Sequence, residues 1–222
     1  MILALHGNLG SGADWERLGI PTLQALDLWE FSHLSFAEFA TSISGRDDRP
    51  VLAGYSLGGR LALHAMASFP ERWRAAVILS AHPGLPCVED RIARKISDGV
   101  WAKRALGMPW SDFLGEWNRQ PVLAESSTGT DQNTLETHRE SIARAFENWS
   151  LGAQENLRPK LQKFDQPVLW ISGAEDKKFT SIAEELAAVF PDFRHEVIPD
   201  CGHRVLRPPV GDIISSFVSG LS

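Results

Sequence analysis

The feature that most constrains the fold is an alternation of short apolar runs with stretches of helical spacing. The runs predict strands at 2–7, 24–29, 50–56, 75–81, 167–173 and 194–199. Helical patterns fall at 36–44, 57–69, 180–189 and 210–219. The first run has no polar alternation, which is typical of a strand that is buried on both faces. Strand and helix in alternation predict an α/β fold, a mainly parallel six-stranded sheet with helices on both faces.

The alternation is interrupted between the fourth and fifth predicted strands. Residues 84–165 contain helical patterns and turn residues but no convincing strand. We therefore expect residues 1–83 and 166–222 to form the core, and residues 84–165 to form a helical lid over the C-terminal edge of the sheet. The middle part also contains four tryptophans, Trp101, Trp110, Trp117 and Trp149. A cluster of tryptophans most often fills a helical core, but one or two of its members can instead line an apolar pocket.

Composition excludes several classes of protein. The net charge is −6 and no block of like charges occurs, which argues against a nucleic-acid partner. No apolar run approaches the roughly 20 residues of a membrane span, and the first residues do not resemble a signal peptide. Cys87 and Cys201 lack the spacing of a metal site or a disulfide framework. We therefore expect a cytoplasmic protein without membrane partner or metal, a monomer or a small homo-oligomer.

One strand–turn–helix segment carries a candidate nucleophile. Gly54 and Gly58 flank Ser56 in "GYSLG", between the apolar "PVLA" and the helical "GRLALHAM". A nucleophile elbow needs this arrangement, because its turn is strained and leaves room only for small neighbours. A bare G-x-S-x-G is common by chance, but its position between a strand and a helix favours a catalytic serine over a structural turn.

A serine nucleophile needs a base and a carboxylate that orients the base. His203 follows the sixth predicted strand in "PDCGHRV", and Asp176 follows the fifth in "ISGAEDKKF". Parallel strands place both residues at the same sheet edge as Ser56, in the chain order serine, aspartate, histidine. Glu175 and Asp200 are weaker candidates for the carboxylate.

An oxyanion hole needs two N–H donors that point at one place. The backbone of Leu57, directly after the serine, provides one, and the backbone of Asn8 in "LHGNLGSG" is the best candidate for the other. His6 precedes that turn, and we interpret it as a hydrogen-bonded structural histidine.

Taken together, these residues resemble the α/β-hydrolase fold over nearly the whole chain. Two differences are expected. The strand before the oxyanion turn starts at residue 2, so the antiparallel hairpin that usually opens the family should be absent, and the strand at 24–29 should lie at an edge of the sheet. In addition, "LDLWEFSHLSF" stands where the family tends to have an Asp-x-x-Gly-x-Gly-x-Ser segment, so the rim of the site near residues 29–35 should differ.

A narrower resemblance rests on "GYSLGGR", "SAHPGLPCVEDRIARKISD" and "EWNRQPV". These segments are similar to the family of 2-succinyl-6-hydroxy-2,4-cyclohexadiene-1-carboxylate synthases of menaquinone biosynthesis. The resemblance implies a lyase without cofactor, in which the Ser-His-Asp triad removes a proton and pyruvate is eliminated from an anionic cyclohexene carboxylate. It also implies substrate binding by Tyr55, Arg60, Arg94 and Trp117. The family's third arginine corresponds less clearly: Arg139 in "THRES" is the preferred match for substrate binding, and Arg144 is its rival.

Arg60 is the residue that favours this function on physical grounds. It lies four positions after Ser56, one helical turn along the same face, from where a long side chain can reach the site. A buried arginine is costly without a counter-ion, so a buried Arg60 should face an anion, either a ligand or a neighbouring Asp or Glu. The alternatives are a surface Arg60, and for Arg94 a solvated lid charge. The alternative functions are a carboxylesterase for small, possibly acidic, esters and a non-catalytic binding module.

Overall fold

A single sheet of six strands organises the chain in the computed structural model, which describes residues 1–45, 48–123 and 130–221. The strand order is β2-β1-β3-β4-β5-β6, and every pair of neighbours is parallel. The strands are β1 Ile2–Leu5, β2 Leu23–Leu26, β3 Val51–Tyr55, β4 Ala75–Leu79, β5 Val168–Gly173 and β6 Phe193–Ile198. The predicted six-stranded parallel sheet is confirmed, with β2 at an edge.

Burial explains which apolar runs lack polar alternation. The four inner strands are buried at every position, whereas β2 and β6 at the edges expose part of theirs. A strand covered by helices on both faces needs apolar residues throughout, whereas an edge strand tolerates residues such as Gln24 and Glu196.

Nine α-helices are found in the described part of the chain. Five belong to the predicted core segments: α1 Ala13–Glu16, α2 Phe36–Ser44, α3 Leu57–Ser68, α8 Lys177–Leu186 and α9 Pro208–Ser219. Four lie between β4 and β5: α4 Val88–Gly107, α5 Trp110–Asn118, α6 Arg139–Asn148 and α7 Arg158–Leu161. Short 3₁₀ helices occur at Leu28–Phe31, Pro70–Arg72 and Gln132–His138. None of these described helices is long and apolar enough to cross a membrane.

The structure differs from prediction at the end of β2. The strand ends at Leu26 instead of continuing to residue 29. The Asp27 side chain accepts a hydrogen bond from the Trp29 N–H at 2.9 Å and caps a 3₁₀ turn. The apolar Leu28 and Trp29 are therefore buried in a turn, so hydrophobicity alone misplaced the strand end.

Candidate active site

Ser56 occupies a strained turn between β3 and α3. Its φ of 52° and ψ of −107° lie outside the regions that L-residues favour, and such strain is found mostly at functional sites. A Cβ on Gly54 would come within 2.5 Å of the Gly58 carbonyl oxygen, and one on Gly58 would overlap the Leu5 carbonyl. The two glycines are therefore required by the close passage of the backbone at this turn.

The sheet brings Ser56 together with His203 and Asp176. Ser56 Oγ lies 2.9 Å from His203 Nε2, and His203 Nδ1 lies 2.7 Å from Asp176 Oδ2. His203 and Asp176 are both buried. The carboxylate that contacts His203 is thus that of Asp176, and not that of the weaker candidates Glu175 and Asp200. This hydrogen-bonded chain is the geometry that activates a serine.

Two aromatic rings pack against the imidazole of His203. Its centroid lies 4.6 Å from the Phe179 ring and 5.6 Å from the Tyr55 ring. Tyr55 lies next to Ser56 in the chain, and Phe179 is in the first turn of α8. Packing therefore fixes the orientation of the base in addition to its hydrogen bond with Asp176.

The two predicted oxyanion donors, Leu57 and Asn8, both line the cavity at Ser56. The turn that carries Asn8 is braced by His6. The His6 ring contacts the Gly7 carbonyl oxygen through Nδ1 at 2.9 Å, and its Nε2 accepts the Leu28 N–H at 3.0 Å. Both nitrogens are therefore used, which fits a structural role for His6, while oxyanion binding by Leu57 and Asn8 stays a prediction.

The cavity that contains Ser56 has a volume of about 290 Å³. Its wall combines residues after the strands with residues of α4 and α5. Trp101 and Trp117 line it, with ring centroids 5.2 Å apart and planes nearly perpendicular. Trp110 and Trp149 are buried in the core and are outside the described lining. Two of the four tryptophans thus form a wall of the cavity, and two are structural.

Arg60 lines this cavity and is only 8% exposed, so it is no surface residue. Its Nη1 donates to the Trp149 carbonyl oxygen at 2.8 Å and to Gln154 Oε1 at 3.3 Å. Burial, and after it the positive charge of Arg94, lowers the pKa of the guanidinium. Keeping Arg60 charged therefore costs free energy, which a bound anion would recover.

Arg94 reaches the same cavity from α4 and has a carboxylate partner. Its Nε donates to Asp98 Oδ1 at 2.8 Å, one helical turn on. Asp98 is buried, and its Oδ2 accepts hydrogen bonds from the Ser150 hydroxyl at 2.7 Å and the Leu151 N–H at 3.2 Å. Arg94 is therefore oriented by Asp98, although its side chain remains 41% exposed.

The structure does not bring Arg139 to the site. Its guanidinium donates to the carbonyl oxygens of Leu106 and Met108, on either side of Gly107, the last residue of α4, and pairs with Glu136. The rival Arg144 contacts Ser32 and Ser141. Neither arginine is in the described lining of the cavity. The carbonyl acceptors hold Arg139 at the end of α4, outside the described lining, so substrate binding by Arg139 stays a prediction that this placement does not support.

Sequence reasoning missed several polar residues of the lining. Lys178, Arg17 and Arg204 add to Arg60 and Arg94, so five basic side chains line the described cavity against two acidic ones, Asp14 and Asp98. Lys178 lies two positions after Asp176 in "GAEDKKF", and Arg204 directly follows His203, so proximity to the predicted triad was the available signal. Among the described residues, no group of three or more His, Cys, Asp or Glu side chains is arranged to hold a metal ion.

The model of the alpha/beta hydrolase family matches residues 2–212. Together with the sheet order and the Ser56 elbow, this match places the chain in the alpha/beta hydrolase family, and it is an enzyme of that fold.

Two sequence relatives and one solved structure show which members of the family this chain is similar to. The chain is 35% identical to the 2-succinyl-6-hydroxy-2,4-cyclohexadiene-1-carboxylate synthase of Salmonella heidelberg strain SL476, across 97% of this chain and 91% of that protein. It is 34% identical to the synthase of the same name from Salmonella newport strain SL254, with the same coverage. The solved structure of MenH from S. aureus has a TM-score of 0.87 at 22% identity and covers 99% of this chain and 93% of that one.

Proposed function

We propose that this enzyme is a lyase without cofactor that eliminates pyruvate from an anionic cyclohexene carboxylate in menaquinone biosynthesis. The observation that carries the proposal is the excess of basic side chains around the serine of a hydrogen-bonded Ser56–His203–Asp176 chain. The names of the Salmonella relatives support the same reaction. A cavity for a plain neutral ester has no need of this positive charge.

The proposed reaction uses Ser56 as a base. His203 Nε2 takes the hydroxyl proton of Ser56, and Asp176 stabilises the imidazolium that results. The serine oxygen then removes a proton from a ring carbon of the substrate. The electron pair of that C–H bond becomes a new ring double bond. The bond between the neighbouring ring carbon and the ether oxygen breaks, and the oxygen leaves with the three-carbon group. The departing enolate takes the proton from His203 and becomes pyruvate, so Ser56 and His203 return to their starting states.

The remaining wall residues would bind and orient the substrate. The backbone N–H groups of Leu57 and Asn8 would stabilise negative charge on a carbonyl next to the reacting carbon. Arg60 and Arg94 would hold carboxylates, since guanidinium groups bind carboxylates with paired hydrogen bonds. Tyr55 and Trp117 would contact the ring. We propose in addition that residues 84–165 form a lid, because α4 and α5 supply Arg94, Trp101 and Trp117.

The test is a direct comparison of two reactions. Purified enzyme should release pyruvate from the enolpyruvyl-bearing cyclohexene carboxylate of the pathway, measured with a coupled pyruvate assay, and should hydrolyse nitrophenyl esters poorly. Efficient ester hydrolysis without pyruvate release would overturn the lyase proposal in favour of a carboxylesterase.

A further inference from the structure

Gln154 is a fully buried amide that touches both the core and the cavity wall. It lies in the turn after α6 and is 0% exposed. Its Nε2 donates to the His82 carbonyl oxygen at 2.9 Å, and its Oε1 accepts from Arg60 Nη1 at 3.3 Å. The Trp149 carbonyl oxygen also accepts from Arg60 Nη1, at 2.8 Å. Gln154 and Trp149 together therefore use both N–H groups of Nη1 and fix the guanidinium.

The two arginines of the proposed anion site are held in opposite ways. Arg94 is paired with the carboxylate of Asp98. Among the described residues, no carboxylate oxygen lies within 4 Å of Arg60, and its protein acceptors are neutral. A glutamate at position 154 would have nearly the same shape and would pair with Arg60 internally. The amide of Gln154 reaches Arg60 equally well but does not neutralise the positive charge of the guanidinium.

We propose that Gln154 is a positioning residue that holds Arg60 through a neutral amide and so leaves the charge of Arg60 for a carboxylate of the ligand. The inference rests on the proposed function in one respect, that the ligand is anionic. The two remaining donor groups of the Arg60 guanidinium, Nε–H and Nη2, are then available for that carboxylate, since Nη1 is occupied. Fixing the side chain in advance reduces the entropy that binding would otherwise lose.

The experiment compares Gln154→Glu with Gln154→Met. Both substitutions remove the hydrogen bond to the His82 carbonyl, so they are matched in that loss and differ in charge. The probe is phthalate, a small ring dicarboxylate, and its Kd is measured by calorimetry on folded protein. We expect wild type to bind phthalate most tightly and Gln154→Met to bind it less tightly. The Kd of Gln154→Glu should be at least tenfold higher than that of Gln154→Met, a difference in binding free energy of about 1.4 kcal/mol. A purely structural role for Gln154 predicts the reverse order, because glutamate keeps the contact with Arg60.

A double-mutant cycle tests whether the effect passes through Arg60. In an Arg60→Met background, Gln154→Glu should cause little further loss of phthalate affinity. Three outcomes would each overturn the inference. Gln154→Glu could cause the same loss of affinity in both backgrounds, Gln154→Glu could bind phthalate as tightly as Gln154→Met, or wild type could fail to bind millimolar phthalate. Because phthalate binding requires no turnover, the result is separable from failure of the pyruvate assay.

Discussion

The two sides of the cavity are built by different kinds of contact. On the core side, Ser56, Asp176 and His203 are placed by the backbone, since each follows the end of a parallel strand. On the side formed by α4 and α5, Arg94, Trp101 and Trp117 are placed by side-chain contacts such as the Arg94–Asp98 pair. The proposed chemistry therefore depends on the sheet, whereas the proposed substrate recognition depends on side-chain contacts that one substitution can change.

Arg60 belongs to neither side alone. It is rooted in α3 of the core, but its guanidinium is held by Trp149 and Gln154 from the segment between β4 and β5. The charge of Arg60 is therefore positioned by the segment that we propose recognises the substrate. Variants on each side should separate loss of kcat from loss of affinity.

The largest expected effect is on the core side. Ser56→Ala or His203→Ala should lower kcat by about 10³-fold or more, because each removes a member of one proton-transfer chain. Pyruvate release measures kcat, and phthalate binding serves as the control that should stay nearly unchanged. A drop of less than tenfold in both variants would mean that the serine does not carry the chemistry.

Arg60→Met should produce the second largest effect. Loss of charged hydrogen bonds to a carboxylate costs about 1.5–3 kcal/mol, roughly ten- to a hundredfold in affinity for an anionic ligand. A neutral nitrophenyl ester is the control, and its KM should change much less. Equal losses for both ligands would remove the distinction between the two sides of the cavity.

Asp98→Asn should loosen the α4 side itself. An amide has one acceptor oxygen, so it cannot serve Arg94 through one oxygen and Ser150 and Leu151 through the other. We expect the free energy of unfolding to fall by about 1–3 kcal/mol, measured by denaturant titration. In contrast, pyruvate release by the folded variant should retain its kcat. A variant as stable as wild type would show that the Asp98 contacts do not hold this side together.

The difference between the sides also decides what the sequence predicts. Ser56, Asp176 and His203 could be brought together in advance, because parallel topology gathers the C-terminal strand ends whatever lies between them. Arg139 could not be placed, because helical spacing does not tell which helix face meets the cavity. The role of Gln154 was invisible for a related reason: it and Arg60 are 94 positions apart, and neither belongs to a motif that contains the other.

The smallest expected effect concerns Lys178, which the chain lets us compare with its neighbour Lys177. Both lie in the first turn of α8, where the helix dipole disfavours a cation, but the described cavity lining includes Lys178 and not Lys177. Burial, followed by the positive charge of Arg94, lowers the pKa of Lys178, as expected for an ammonium group held near other cations. Lys178→Met should weaken phthalate binding by about two- to fivefold, the range of a partly exposed ion pair, and Lys177→Met should not. If both lysine variants bind phthalate equally, the attraction is a general effect of surface charge, and the recognition side is limited to the two arginines.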